Sequence, residues 1–299
     1  MTTIKKYLSL IKFSHTIFAM PFAMIGFFLG VQFLHSNHLS LEKNILGINS
    51  VMYFLILVIL CMVFARSAAM AFNRYLDYKI DAINPRTAVR EIPSGVISPK
   101  NALIFTLFCC LLFVACTYAI NKLCFYLSFV ALFVVLFYSY TKRFTALCHL
   151  ILGLGLSLAP IGAFVAVTGI FKILPVLISL LVLTWVSGFD IIYALQDEEF
   201  DKKNNLNSIP ALLGKKKALQ LSSFLHLITA LLIITVGIFY LNSIYFWIGA
   251  FLFMGMLIYQ HSIVKPDDLR RVNLAFMTAN GIASVVFAFF VILDIFLKF

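Results

Sequence analysis

A chain of 299 residues that is 63% apolar and 12% charged falls far below the quarter of charged residues usual in soluble domains. The composition places it in a membrane. A formal charge of +11 does not point to nucleic acid, because the cations sit in short loops between apolar stretches, as membrane topology requires. Cys61, Cys109, Cys110, Cys116, Cys124 and Cys148 lie in or beside apolar runs without CxxC spacing, and read as small core hydrophobes.

About 17–25 apolar residues suffice to cross the hydrocarbon. Nine stretches qualify: 16–34, 51–73, 102–120, 124–140, 147–169, 173–195, 218–240, 244–263 and 272–297. The first is long enough to span, unlike a cleavable signal, and the short, Phe-rich 124–140 is the weakest of the nine. Pro21 and Pro160 fall inside spans and are expected to kink them. The fold expected is all-α, a polytopic bundle of nine transmembrane helices forming a single domain over 1–299. Alternating the spans leaves eighteen Lys and Arg on the side of the N-terminus and four (Lys43, Lys122, Lys172, Lys298) on the other, with Arg66 inside the second span. That excess predicts a cytoplasmic N-terminus and an outer C-terminus.

Eight of the 12 acidic residues lie in or just after two segments at the ends of spans two and six: Asp77, Asp81, Glu91, Asp190, Asp197, Glu198, Glu199 and Asp201. Both segments then face the cytoplasm. Each ends in Asp residues four apart, which on a helix share one face about 6 Å apart. Two such pairs facing one another would make a hard, oxygen-rich site for Mg²⁺ bridged by a diphosphate. Arg66, Asn73, Asp77 and Asp81 line one helical stripe, with Arg66 about 10 Å deeper than Asn73. A charge at that depth should face the bundle interior and pair with an anion; a structural ion pair is the competing reading. Asp190, Tyr193, Asp197 and Asp201 are expected on one face of the second segment. Acids so close to the bilayer repel unless a cation joins them, and a bound divalent metal would resolve that repulsion.

These residues resemble the UbiA superfamily of intramembrane aromatic prenyltransferases. Its first motif, N-x-x-x-D-x-x-x-D, is met by Asn73, Asp77 and Asp81, followed by Arg86-Thr87, Arg90 and Pro93-Ser94-Gly95. Arg66 stands where the family commonly has Arg. Its second motif, D-x-x-Y-x-x-x-D-x-x-x-D, is met by Asp190, Tyr193, Asp197 and Asp201, and Tyr138 to Arg143 resembles its Tyr-x-x-x-Lys-Arg stretch. Two departures stand out. Asn205 and Asn207 replace the Gly and second Lys of the usual Lys-x-Gly-x-Lys-Ser, although Asn tolerates positive φ. Glu91 stands where Pro is frequent.

The resemblance implies a central apolar cavity for a polyprenyl chain and transfer of that chain to a 4-hydroxybenzoate-like aromatic acid in quinone biosynthesis. A menaquinone-pathway member acting on a dihydroxynaphthoate is the alternative. It implies Mg²⁺ held by Asn73, Asp77, Asp81, Asp197 and Asp201. Arg66, Arg86, Arg90, Lys142 and Lys203 would neutralise the diphosphate. Asp190 and Tyr193 would act at the acceptor, with Arg143 on its carboxylate. The setting implied is the bacterial inner membrane, with a lipid bilayer and two substrates as partners. A transporter predicts ionisable residues near the midplane of several spans, whereas in this chain the acids gather at one face.

The topology has a direct check. A cysteine placed at Asn204, in a background without the native thiols, should react with an impermeant reagent from the cytoplasmic side. One placed at Asn242 should react from the outside; labelling of both from one side would overturn the nine-span count.

Overall fold

Side-chain caps set several of the helix ends. Ser98, Ser208 and Ser243 each accept a hydrogen bond from the backbone N–H three residues on, satisfying one of the donors that a helix start leaves open. Asn121 does the same for Cys124 at 2.8 Å, and its amide also donates to the carbonyls of Val165 and Ala166. It is the one residue between two helices, and it pins their corner to a third.

The computed structural model describes residues 3–11, 18–38 and 50–297. The helices are α1 Thr3–Leu10, α2 Met20–Ser36, α3 Ser50–Ile83, α4 Pro99–Ile120, α5 Lys122–Thr141, α6 Cys148–Thr168 and α7 Ile173–Ala194. After a 3₁₀ turn at Leu195–Asp197 follow α8 Glu198–Lys203, α9 Ile209–Phe239 and α10 Ile244–Ile263, then a π-helical turn, Leu274–Ala279, running into α11 Asn280–Phe296. Eight helical segments are long and apolar enough to cross a membrane, and α2, at 17 residues, is a shorter apolar helix. The expected helix bundle is therefore found, including the short α5. Thr16 and Ile17 of the first expected span, and Lys12, Lys43 and Lys298 of the charge count, lie outside the described residues.

Two expectations change. Pro21 lies in the first turn of α2, where its missing N–H costs no helical bond, so it starts a helix rather than kinking one. α3 does not stop at residue 73 but runs to Ile83, about 50 Å at 1.5 Å per residue. Its last turns carry the first acidic segment past the apolar zone as unbroken helix.

α2 packs between α6 and α11, α7 between α6 and α9, and α3 against α4 and α5. One half of the bundle closes on Trp185, which meets the rings of Phe22, Phe189 and Phe253 at 5.0–5.4 Å between centroids. Trp185 also donates from Nε1 to Asn280, which accepts from Gln260 as well and donates to the carbonyls of Ala275 and Phe276. Those carbonyls belong to the π-helical turn, so Asn280 satisfies groups that the widened turn displaces. The other half, between α3, α4, α5 and α6, is left open as an apolar cavity of about 330 Å³. Outward-facing Leu111, Phe129, Phe133, Phe251 and Phe289 are all more than half exposed, an apolar exterior that suits lipid.

α2 and α6 touch backbone to backbone at Gly26. A Cβ there would stand 2.0 Å from the carbonyl oxygen of Pro160, whereas at Gly162 it would meet nothing within 4 Å. Gly26→Ala should therefore lower thermal stability in detergent by overpacking, on the order of 1–3 kcal/mol. Gly162→Ala should leave the melting midpoint in place, and equal midpoints for both variants would show that α2 slides freely on α6.

Candidate active site

Two cavities meet inside the bundle. The apolar one is lined by α3, α4, α5 and α6 side chains such as Met62, Phe113, Leu127 and Leu156. The other, about 230 Å³, is polar and lies at the ends of α3, α5 and α7, beneath the α3–α4 loop. Tyr138 and Leu152 line both. A polar chamber thus adjoins an apolar one across these two side chains.

The polar pocket gathers ten of the thirteen residues singled out in the sequence: Asn73, Asp77, Asp81, Arg86, Arg90, Lys142, Arg143, Asp190, Tyr193 and Asp197. Arg66 lines the apolar cavity instead. Its Nε is buried without a hydrogen-bond partner, and the anion expected beside it is not found among the described residues. Asp201 is fully buried behind the pocket, bonded to Lys142 at 2.7 Å and to the Ser208 hydroxyl at 2.8 Å. Lys203 is exposed on α8 and does not line the pocket.

The second segment is not one α-helix: the chain tightens to 3₁₀ at Leu195–Asp197 and restarts as α8. Asp197 lines the pocket, while Asp201 is held by Ser208 at the start of α9 and by Lys142, itself a pocket residue. On α3, Asp77 and Asp81 both line the pocket, and Asn73 Nδ2 donates to Asp77 Oδ2 at 3.1 Å across one turn.

Four of the five motif carboxylates, Asp77, Asp81, Asp197 and Asp201, are each paired with an Arg or Lys of the chain. Arg143 bonds Asp77 at 2.7 Å and also donates to the carbonyls of Leu76 and Ser139. Arg90 Nη1 reaches both oxygens of Asp81, at 2.7 and 2.8 Å. Arg86 grips Asp197 through Nε at 3.0 Å and through Nη2, while its Nη1 donates to the Tyr193 hydroxyl at 2.8 Å. Burial works against the Arg86 charge, but the hydrogen bond and the charge of Asp197, joined by Tyr193, hold its pKa above the ordinary value. The cation assigned to a metal in the sequence is supplied in this structure by Arg and Lys. Among the described residues no cluster of three or more acidic, His or Cys side chains is assembled for a metal. The donor set is nonetheless oxygen-rich, with Asn73, Asp77, Asp81, Asn84 and Asp197 all lining the pocket, which is the hard chemistry that Mg²⁺ takes.

Residues outside the thirteen candidates complete the site. Asn84 donates to Asp197 at 3.3 Å, and Thr87 donates to the Asp81 carbonyl at 3.1 Å. His149 bonds Asp190 at 2.7 Å. Glu91 is buried and accepts from Ser9 of α1, which accounts for an acid in the α3–α4 loop by the docking of the N-terminal helix. The only sequence signal for His149 was a polar, ionisable ring at the head of a span.

The model of the UbiA prenyltransferase family matches residues 19–282. The chain belongs to the UbiA prenyltransferase family. Curated relatives agree: a protein of Tolumonas auensis named 4-hydroxybenzoate octaprenyltransferase is 30% identical, the match covering 75% of this chain and 78% of that one. One of the same name from Vibrio atlanticus is 31% identical over 78% and 81%. The apo structure of a UbiA homologue from Aeropyrum pernix superposes with a TM-score of 0.76 at 28% identity, covering 95% of this chain and 98% of that one. A UbiA homologue from Archaeoglobus fulgidus bound to DMAPP and Mg²⁺ superposes at 0.75, with 21% identity and 97% and 99% coverage. This UbiA chain is thus a membrane-embedded prenyltransferase.

The loop after the second motif keeps its shape without the family's glycine. Asn205 adopts φ 52°, and the next turn is tied down by the Asn207 N–H to the Lys142 carbonyl at 2.7 Å. Asn205→Gly should be neutral for stability, whereas Asn205→Val should cost about 1–2 kcal/mol for a branched side chain in the left-handed region. Melting midpoints in detergent decide it; equal midpoints would mean that the loop does not need this conformation.

Proposed function

We propose that this enzyme transfers a polyprenyl group from polyprenyl diphosphate to a 4-hydroxybenzoate-like aromatic acid in quinone biosynthesis. One observation carries the reading. A charged pocket at the end of the bundle adjoins, across Tyr138 and Leu152, a mainly apolar chamber, an arrangement that suits a molecule with a diphosphate head and a hydrocarbon tail. The names of the bacterial relatives support the acceptor, and the homologue holding DMAPP and Mg²⁺ supports the donor and the metal.

The pocket's charged walls comprise four aspartates and four basic side chains, close to neutral in sum, so a diphosphate needs positive charge brought with it. Asn73, Asp77, Asp81 and Asp197 are the residues that would hold Mg²⁺, with Asp201 acting through Lys142. Bound Mg²⁺ supplies Lewis-acid stabilisation to the departing diphosphate. Arg86, Arg90 and Lys142, released from their carboxylates, bind the phosphate oxygens; Lys203 reaches them only if α8 moves. Arg66, without an acidic partner, takes an incoming anion at the head of the apolar chamber.

The bond from the prenyl C1 to the diphosphate oxygen breaks with its electron pair leaving on diphosphate. A ring carbon of the acceptor bonds to C1, and the ring then loses a proton. Asp190 accepts the hydrogen bond of the acceptor hydroxyl, and Tyr193 is held over the pocket by Arg86 and by stacking on Phe276 at 4.2 Å. Arg143 serves the acceptor carboxylate only by exchanging Asp77 for it. The membrane is the bacterial inner one, with the site on its cytoplasmic face.

Membranes containing the protein, given labelled polyprenyl diphosphate, should prenylate 4-hydroxybenzoate in a Mg²⁺-dependent, chelator-sensitive way. Dihydroxynaphthoate is the comparison acceptor, and preference for it would move the enzyme to the menaquinone branch. Asp77→Ala and Asp197→Ala should each abolish transfer in folded protein, and full turnover by either would remove the two-motif site. Arg143→Ala should raise the acceptor KM about ten- to a hundred-fold, the scale of one lost charge-assisted contact. Lost diphosphate binding instead would place Arg143 with Lys142.

A further inference from the structure

Among the described residues Asp190 has one side-chain partner, and that partner is itself fixed. Its Oδ2 lies 2.7 Å from His149 Nδ1, and its side chain remains 21% exposed toward the polar pocket. Among the described residues no other side chain bonds it, so Oδ1 is left to the cavity. The His149 ring is 4% exposed at the head of α6. Its Nε2 faces the backbone N–H of Ile209, the first residue of α9, at 3.3 Å.

A backbone amide can only donate. Nε2 must then present its lone pair, and the ring proton sits on Nδ1, directed at Asp190. The imidazolium does not suit this arrangement, because its Nε2–H would point at another N–H. A histidine that merely fastened α6 to α9 would need the Ile209 contact alone. Instead the second nitrogen holds the carboxylate that borders the acceptor's space.

We infer that His149 is the positioning residue for Asp190. In its neutral Nδ1–H form it holds one carboxylate oxygen, fixes the side-chain rotamer and leaves Oδ1 aimed at the acceptor's hydroxyl. The inference rests on the acceptor chemistry proposed above. Ile209 also adjoins Ser208, whose hydroxyl donates to Asp201. Two neighbouring residues at the start of α9 therefore fix Asp190 through His149 and Asp201 directly.

The test uses the full chain in detergent or nanodiscs and measures prenyl diphosphate binding, acceptor KM and kcat separately. His149→Phe should lower kcat about ten- to a hundred-fold, the scale of a hydrogen bond to a charged group, and leave prenyl diphosphate affinity within about two-fold. His149→Asn, whose amide nitrogen stands near the place of Nδ1, should recover most of the rate. Adding His149→Phe to Asp190→Asn should slow the enzyme no further, because residues acting as one unit are not additive. Independent losses, or an equal loss of prenyl diphosphate binding, would overturn the inference. If the wild-type protein prenylates neither acceptor, the proposed function fails, and ¹⁵N spectra of the imidazoles still decide the pairing. A His149 signal with protonated Nδ1 that moves in Asp190→Asn supports it, and a protonated Nε2 overturns it.

Discussion

The structure turns on ion pairing at the level where the bundle leaves the apolar zone. Asp77, Asp81, Asp197 and Asp201 are drawn from α3 and from the end of the α7–α8 run, and each is held by Arg or Lys. Unpaired, such buried carboxylates would cost several kcal/mol each. Paired, three of them also tie separate segments together: Arg86 joins the α3–α4 loop to Asp197, while Lys142 and Arg143 join the end of α5 to α8 and α3. The positions of the loops follow from those bonds. So does the shape of the pocket, since the same side chains are its walls.

This pairing also sets what the pocket can accept. Its charged walls are balanced, so a multiply charged anion cannot enter merely by attraction. It must displace a carboxylate from an arginine, and the carboxylate then needs a new positive partner. A divalent cation arriving with the anion meets both requirements. The oxygen-rich donor set and the Arg–Lys set therefore act as two halves of one exchange rather than as rival explanations of the acids.

Much of this was legible in the sequence, and the failures are local. The helices were visible because lipid demands long apolar runs. Asp77 and Asp81 were placed correctly because α3 continues as helix, so the four-residue spacing means what it should. Asp201 does not line the pocket because Ser208 and Lys142 hold it, contacts that the motif spacing does not reveal. Asn205 was readable, since positive φ is a single-residue property. The compensating cations were visible as residues, but their assignment to carboxylates is long-range: Arg86 meets Asp197 across 111 positions. His149 was hidden for the same reason, its two partners lying 41 and 60 residues away. Arg66 was recognised as deep and inward-facing, and it lines the apolar cavity without the anion expected beside it.

The shared wall of Tyr138 and Leu152 bears on where products go. In the proposed reaction, cleavage leaves a diphosphate among arginines at the water interface and a prenylated ring whose tail already lies in hydrocarbon-like surroundings. The two products are sorted by solvent preference at the moment they form. With the tail held in the apolar chamber, burial of each further methylene favours the oily side by about 0.8 kcal/mol. The tail's burial is the same before and after transfer, so it does not drive the chemical step; it separates the hydrocarbon product from the ionic one and sends them out toward different phases.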